Sequence, residues 1–195
     1  MSNPTLIAAE NRLREHFGAA LPNLLRGSDF FGDSRQWCLA RHPYAQYVSD
    51  GQRILDLGCA NGLLLKSIQI WTGADCECFG IDNNPMRIAS ARKLFSSSNP
   101  ENFLTGDMFA GEWAKKQYDL VFFPFHSLEN WIQIADTFIR RNPTSTLILS
   151  VYDDEWDNAD TIDQICSKIW DDLVVKVYCV ENLVKLVSLT CKRHI

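Results

Sequence analysis

One segment limits what this chain can fold into: Ile54-Leu55-Asp56-Leu57-Gly58-Cys59-Ala60-Asn61-Gly62-Leu63-Leu64-Leu65. It reads as an apolar strand with an acid near its end, a tight turn flanked by two glycines, and the leucine-rich start of a helix. In an open α/β sheet such a junction points backbone N–H groups and a helix N-terminus into a crevice. The carboxylate of Asp56 at the lip predicts a nucleoside-bearing ligand whose nearest part is cationic or an ammonium group, not a pyrophosphate.

The residues before and after this segment follow different patterns. Residues 5–17 have amphipathic helical spacing, with Leu6, Ala9, Leu13 and Phe17 on one face and Gly18 placed to end the run. The stretch Gly27-Ser28-Asp29-Phe30-Phe31-Gly32 precedes a second helix-like run from Ser34 to Val48, kinked at Pro43. Residues 1–51 therefore read as an N-terminal helical cap, and residues 52–195 as one α/β domain. Strands are expected at Arg53–Leu57, Glu77–Ile81, Asn102–Thr105, Asp119–Phe123 and Thr146–Val151. Helices are expected at Gly62–Trp71, Pro85–Phe95, near Glu112–Lys115, Leu128–Arg140 and Thr161–Leu173. Asn84 can cap the second of these while Pro85 takes the first helical position, and Asn142-Pro143 stops the fourth. Alternation of this kind implies a doubly wound, mostly parallel sheet. The runs Val174–Val180 and Leu183–Cys191 are joined by only Glu181-Asn182, too short for a parallel crossover, so they predict an antiparallel hairpin closing a seven-stranded mixed sheet.

Composition excludes some classes of function. A net charge of -5 and a pI near 5.3 argue against a chain built around nucleic acid, which usually presents a basic face. None of the seven cysteines forms a Cys-x-x-Cys pair or stands at zinc spacing from one of the four histidines, so the expectation is free thiols in a reducing cytosol and no metal. Cys76 and Cys78 share one side of a strand, where core filling is the expected role. Residues Met1 to Thr5 lack the start of a signal peptide, and no apolar run approaches the ~18 residues of a membrane helix. The expected setting is cytoplasmic, with no membrane partner.

Four stations recur at strand ends: Asp56 to Gly62; Gly80-Ile81-Asp82-Asn83-Asn84-Pro85; Leu104-Thr105-Gly106-Asp107-Met108; and Tyr118-Asp119-Leu120-Val121-Phe122-Phe123-Pro124. In this order, and followed by the hairpin, they resemble the class I S-adenosylmethionine-dependent methyltransferases, with their Rossmann-like fold, over Gln52 to His194. Ala60 departs from the pattern, since the family often has a glycine there. The resemblance implies S-adenosylmethionine as cofactor, S-adenosylhomocysteine as product, and a cofactor site of Asp56, Gly58, Cys59, Ala60, Gly62, Asp82, Asn83, Asp107, Met108 and Phe123. Within it Asp82 would accept the ribose hydroxyls and Asp107 the adenine amino group, while Asn83 and Met108 flank the ring. Independently of the family, glycines at 58 and 62 allow a sharp turn and a close ligand approach. A dinucleotide is disfavoured, because Ala60 stands where Gly-x-Gly-x-x-Gly needs its second glycine and Asp56 would repel a diphosphate.

Methyl transfer from a sulfonium mainly requires alignment of the nucleophile, and orientation alone can supply roughly 7 to 11 kcal/mol. The donor is already activated, so no metal is expected. If a general base is used, His126 in Pro124-Phe125-His126-Ser127-Leu128-Glu129-Asn130 is the candidate, with helix capping by His126 and Ser127 the equal alternative. Phe122-Phe123-Pro124-Phe125 lacks the Asn/Asp-Pro-Pro-Tyr/Phe pattern of enzymes that methylate base amino groups. Tyr152-Asp153-Asp154-Glu155-Trp156-Asp157 could attract a cationic substrate or be a solvated loop. The cap offers Trp37, His42, Tyr44 and Tyr47, and either Arg35 or Arg41 to hold a methionine carboxylate. The expected function is methyl transfer to an O or N nucleophile of a small molecule. The alternatives are an RNA or protein acceptor on the same fold, or a methyltransferase-like regulatory subunit without turnover.

Overall fold

The computed structural model describes residues 4–124, 133–135, 137–138, 146–152, 173–180 and 184–191. Strands β1 (Arg53–Leu57), β2 (Glu77–Asp82), β3 (Phe103–Thr105), β4 (Leu120–Pro124), β5 (Thr146–Tyr152), β6 (Leu173–Val180) and β7 (Val184–Cys191) form one sheet in the order β3-β2-β1-β4-β5-β7-β6. The first five run parallel; β7 is antiparallel to both β5 and β6. A strand covered on both faces is largely apolar, and Ile54, Leu55, Leu57, Phe79, Val121, Phe122 and Phe123 are all buried. The expected strands lie within a residue of these bounds. Asn102 falls instead in a 3-10 turn, Pro100–Asn102, and Leu173 opens β6 rather than ending a helix.

Helices α1 (Pro4–Phe17), α2 (Leu21–Gly27) and α3 (Ser34–Arg41) build the N-terminal cap; α4 (Leu63–Thr72) and α5 (Pro85–Leu94) connect the first three strands. Helix α3, expected over Ser34 to Val48, stops at Arg41 and continues as a 3-10 turn, His42–Tyr47, because Pro43 has no N–H to give to a helical ladder. Its start is fixed by a capping box: the Asp33 carboxylate accepts from the Gln36 N–H at 2.9 Å, and the Gln36 side chain accepts from the Asp33 N–H at 2.9 Å. Helix α2, with Pro22 in its first turn, has no counterpart in the hydrophobic periodicity. Asn84 caps α5 as its sequence implies, accepting from Met86 N–H at 2.9 Å. The element near Glu112–Lys115 is a 3-10 turn. Helical residues 133–135 and 137–138 are what is described of the expected helix at 128–140, and residues 161–172 lie outside the described residues.

The cap belongs to the core on one side of the sheet. Ala9, Leu13, Trp37 and Tyr44 pack in one cluster with Ile54, Ile68, Trp71 and Phe122. Polar groups fix this docking: the Trp71 indole donates to Ala9 O at 3.2 Å, Arg12 donates to Trp71 O at 2.6 Å near the α4 C-terminus, and the Trp37 indole donates to Ser67 Oγ at 3.1 Å. The opposite face holds a second cluster, including Leu55, Phe79, Trp113, Val121, Phe138 and Leu147. Cys76 and Cys78 are buried in the cap-side cluster with their sulfurs 3.9 Å apart. Among the described residues, no group of three His, Cys, Asp or Glu side chains is placed to hold a metal, and no helix is long and apolar enough to cross a membrane.

Gly80, at the centre of β2, makes room for the sulfur of the glycine turn. A Cβ there would lie 2.5 Å from Cys59 Sγ and 2.7 Å from the Phe103 ring. Both neighbours are buried, so neither can yield freely. Gly80→Ala is expected to cost about 1 to 3 kcal/mol, read as a lowered denaturation midpoint in urea.

Candidate functional site

The turn after β1 owes its shape to three left-handed residues: Gly58 (φ 78°), Ala60 (φ 49°) and Gly62 (φ 77°). Gly62 is doubly constrained, because a Cβ would also come within 3.2 Å of the Phe95 ring. The backbone donors of the turn correct the sequence expectation that they face a crevice. Gly58 and Cys59 N–H both donate to Ile81 O, at 2.8 and 3.0 Å, and Gly62 N–H donates to Cys59 O at 2.9 Å. Ala60 N–H donates to Asp82 Oδ2 at 3.0 Å, and Leu63 N–H to Asn61 Oδ1 at 3.2 Å. These five donors are used within the protein, so the turn is not an anion cradle. A pyrophosphate is poorly served here, and the groups facing a ligand are carboxylates.

Asp82 is buried at the end of β2, with Oδ1 accepting from Asn84 N–H at 2.9 Å and Oδ2 from Ala60 N–H. Two backbone donors thus fix its orientation. Asp56 is also buried, and burial pushes its carboxyl up to about 7; the Arg41 guanidinium pulls the other way and the Asp82 charge adds to the rise.

Two cavities adjoin at the turn. The smaller, about 70 Å³, is lined by Asp56, Cys59, Phe122 and Phe123 from the sheet side and by Trp37, Arg41 and Tyr44 from the cap. The larger, about 290 Å³, is lined by Asp82, Asn83, Gly106, Asp107, Met108 and Phe109, with Ser28, Asp29 and Arg87 on its rim. Gly58, Ala60 and Ser28 line both. The expected cofactor residues are therefore brought together in two groups, with Asp56, Cys59 and Phe123 on one side and Asp82, Asn83, Asp107 and Met108 on the other. Gly62 lines neither and acts through the backbone. Asp107 is exposed and caps the following 3-10 turn, accepting from Phe109 N–H at 2.9 Å. His126, Ser127 and residues 153–157 lie outside the described residues.

Of the two cap arginines, Arg41 lines the smaller cavity while Arg35 is exposed. His42 packs edge-on to Trp71, and burial holds its imidazole below the ordinary histidine range. The residues that join cap to turn were not evident from the sequence. Asn61 Nδ2 donates to Leu24 O at 2.7 Å, and Ser28 Oγ donates to Asn61 Oδ1 at 2.6 Å. The closest sequence signal was Gly27, where a Cβ would meet the Asn61 amide nitrogen at 2.7 Å.

A family model described as a methyltransferase domain matches residues 48–176, and the chain belongs to that family. It is thereby a member of the class I S-adenosylmethionine-dependent methyltransferases, whose cofactor is S-adenosylmethionine. Ribosomal RNA large subunit methyltransferase G of Streptomyces avermitilis is 34% identical over 84 residues, which cover 41% of this chain and 22% of that protein. The chain thus spans about a fifth of that relative. The plantazolicin methyltransferase BpumL, solved with a monoazolic desmethylPZN analog and SAH, superposes with a TM-score of 0.65 at 14% identity, over 97% of this chain and 96% of that one. The ribosomal protein L11 methylase of Lactobacillus delbrueckii subsp. bulgaricus gives a TM-score of 0.63 at 13% identity, over 83% and 81%.

The turn and the buried acid each generate a measurable expectation. Ala60 bears a left-handed strain that glycine does not, so Ala60→Gly should raise stability by about 1 kcal/mol in denaturant unfolding. For Asp56 the unfolded carboxyl ionises near 3.8 and the folded one near 7. Between those values the folded state holds the extra proton, so this group lowers stability as pH rises through the window. Asp56→Asn should flatten that slope, as measured by unfolding at about pH 5 and about pH 8.

Proposed function

We propose that this chain transfers a methyl group from S-adenosylmethionine to an oxygen or nitrogen nucleophile of a small molecule, with residues 1–51 as cap and residues 52–195 as the cofactor-binding domain. The observation that carries this reading is charge placement. The narrow cavity pairs the Asp56 carboxylate with the Arg41 guanidinium, as a zwitterionic amino-acid tail requires, and opens beside the Asp82 carboxylate, as a ribose requires.

Bound S-adenosylmethionine supplies a methyl group on a positively charged sulfur, open to in-line displacement. Asp56 takes the ammonium of the tail and Arg41 its carboxylate. Asp82 keeps lone pairs for the two ribose hydroxyls, because its two backbone donors fix the carboxylate without exhausting it. Asn83, Asp107 and Met108 line the far end for the base. Phe122, Phe123 and Tyr44 wall the tail cavity with aromatic surface, and the rings of Tyr44 and Phe122 meet edge-on at 4.9 Å. Their faces suit a cationic sulfur and exclude water. His126 remains the candidate base.

Small-molecule specificity is supported by the cap, which walls the tail cavity with Trp37, Arg41 and Tyr44, and by the superposition on the plantazolicin methyltransferase over 97% of this chain, cap included. An RNA acceptor is the second reading, favoured by the 84-residue relationship to a ribosomal RNA methyltransferase. A cytoplasmic setting suits either.

S-adenosylhomocysteine at ~100 times its dissociation constant should stabilise the chain by about 2.7 kcal/mol, and NAD should not. Asp82→Ala should abolish that stabilisation. Affinity should rise with pH through about 7 as Asp56 ionises, and Asp56→Asn should remove the dependence. No shift with S-adenosylhomocysteine would sink the cofactor assignment. Transfer to a metabolite panel, compared with ribosomal RNA and protein, divides the acceptor classes, and binding without transfer to any of them points to a regulatory subunit.

A further inference from the structure

The cap touches the larger cavity through one short strap, Ser28-Asp29, and both residues are anchored elsewhere. Ser28 is held by the turn, through its hydroxyl donating to Asn61. Asp29 is held by α5, through an ion pair with Arg87, 58 residues away in the chain. Both partners line the cavity that contains Asp82 and Asp107.

Two further observations mark the pair as more than a chance surface contact. Asp29 is one of two non-glycine residues with positive φ among those described, at 56°. Aspartate and asparagine tolerate that conformation better than other side chains, which explains a short polar residue there. Arg87 stands in the first turn of α5, three residues after the Asn84 cap, which accepts from its N–H, so the strap is tied to the segment that follows Asp82. The cation and anion therefore bridge the two walls of the cavity, cap on one side and β2–α5 junction on the other.

We propose that the Asp29–Arg87 ion pair is a clasp that closes the cap over the nucleoside half of the cofactor and sets the rate at which cofactor exchanges. The proposal rests on the cofactor reading above. A ligand in the cavity borders the strap, so opening the ion pair loosens one wall around it. Asp29 and Arg87 act here as positioning residues. The pair is partly exposed, with side-chain exposures of 59% and 30%, so the effect is modest and weakens with salt.

The test is the dissociation rate of S-adenosylhomocysteine, followed by stopped-flow displacement in the full chain. Asp29→Asn removes the charge while keeping a side chain that accepts left-handed backbone, and Arg87→Gln removes the partner. Each is expected to speed dissociation about two- to five-fold with melting temperature unchanged. The double variant should be no faster than either single, because the two changes break one bond. Raising salt should speed dissociation more from the wild type than from either variant. Equal rates in wild type and variants, or additive rates in the double variant, would overturn the clasp. If the wild type does not bind S-adenosylhomocysteine, the cofactor reading falls, and the clasp with it.

Discussion

The Asp82 carboxylate is the point from which the rest of the site takes its geometry. One oxygen accepts from the turn after β1 and the other from the start of α5, so a single buried side chain joins two crossover connections at the same sheet edge. The Ile81 carbonyl adds two more bonds to the turn from the adjacent residue. The turn is therefore formed by the strand next to it and needs no ligand to order it. Such a site is preorganised, and the entropy of shaping it belongs to folding rather than to binding.

Electrostatics divides the site into two halves of different character. Around Asp56 burial is deep enough to raise the carboxyl to about 7, and the neighbouring Arg41 only partly offsets this. A buried acid of this kind is costly to ionise, and its carboxyl keeps its proton up to about neutrality. Around Asp82 backbone donors fix the carboxylate. The two acids are the same residue type at similar strand positions, yet burial raises one and backbone donors make the other a structural hub.

Much of this could be read from the sequence. The β1 segment was legible because a parallel strand, a glycine turn and a helix start each have a distinct local pattern, and Asn84-Pro85 announced α5 for the same reason. Asp56, Asp82 and Asp107 stood out because strand ends are where such sheets bind ligands. What stayed hidden depends on contacts between distant residues. Nothing local distinguishes Arg41 from Arg35 until the cap is folded, and Asn61 looked like a turn residue although it also grips Leu24. The use of the Gly58, Cys59 and Ala60 N–H groups is not visible locally, because their acceptors lie on β2, more than 20 residues along the chain. Helix α2, only seven residues long, carries too little periodicity to be seen.

The match to the methyltransferase family begins at residue 48, whereas the apolar cluster on that side of the sheet begins at Ala9. Ancestry and folding are thus partitioned differently in this molecule. A fragment cut at the inherited boundary would leave Trp71, Ile68 and Phe122 facing water where Leu13, Trp37 and Tyr44 had covered them. The N-terminal helices are consequently not an accessory that evolution could exchange without cost: they are part of what keeps that face of the sheet dry.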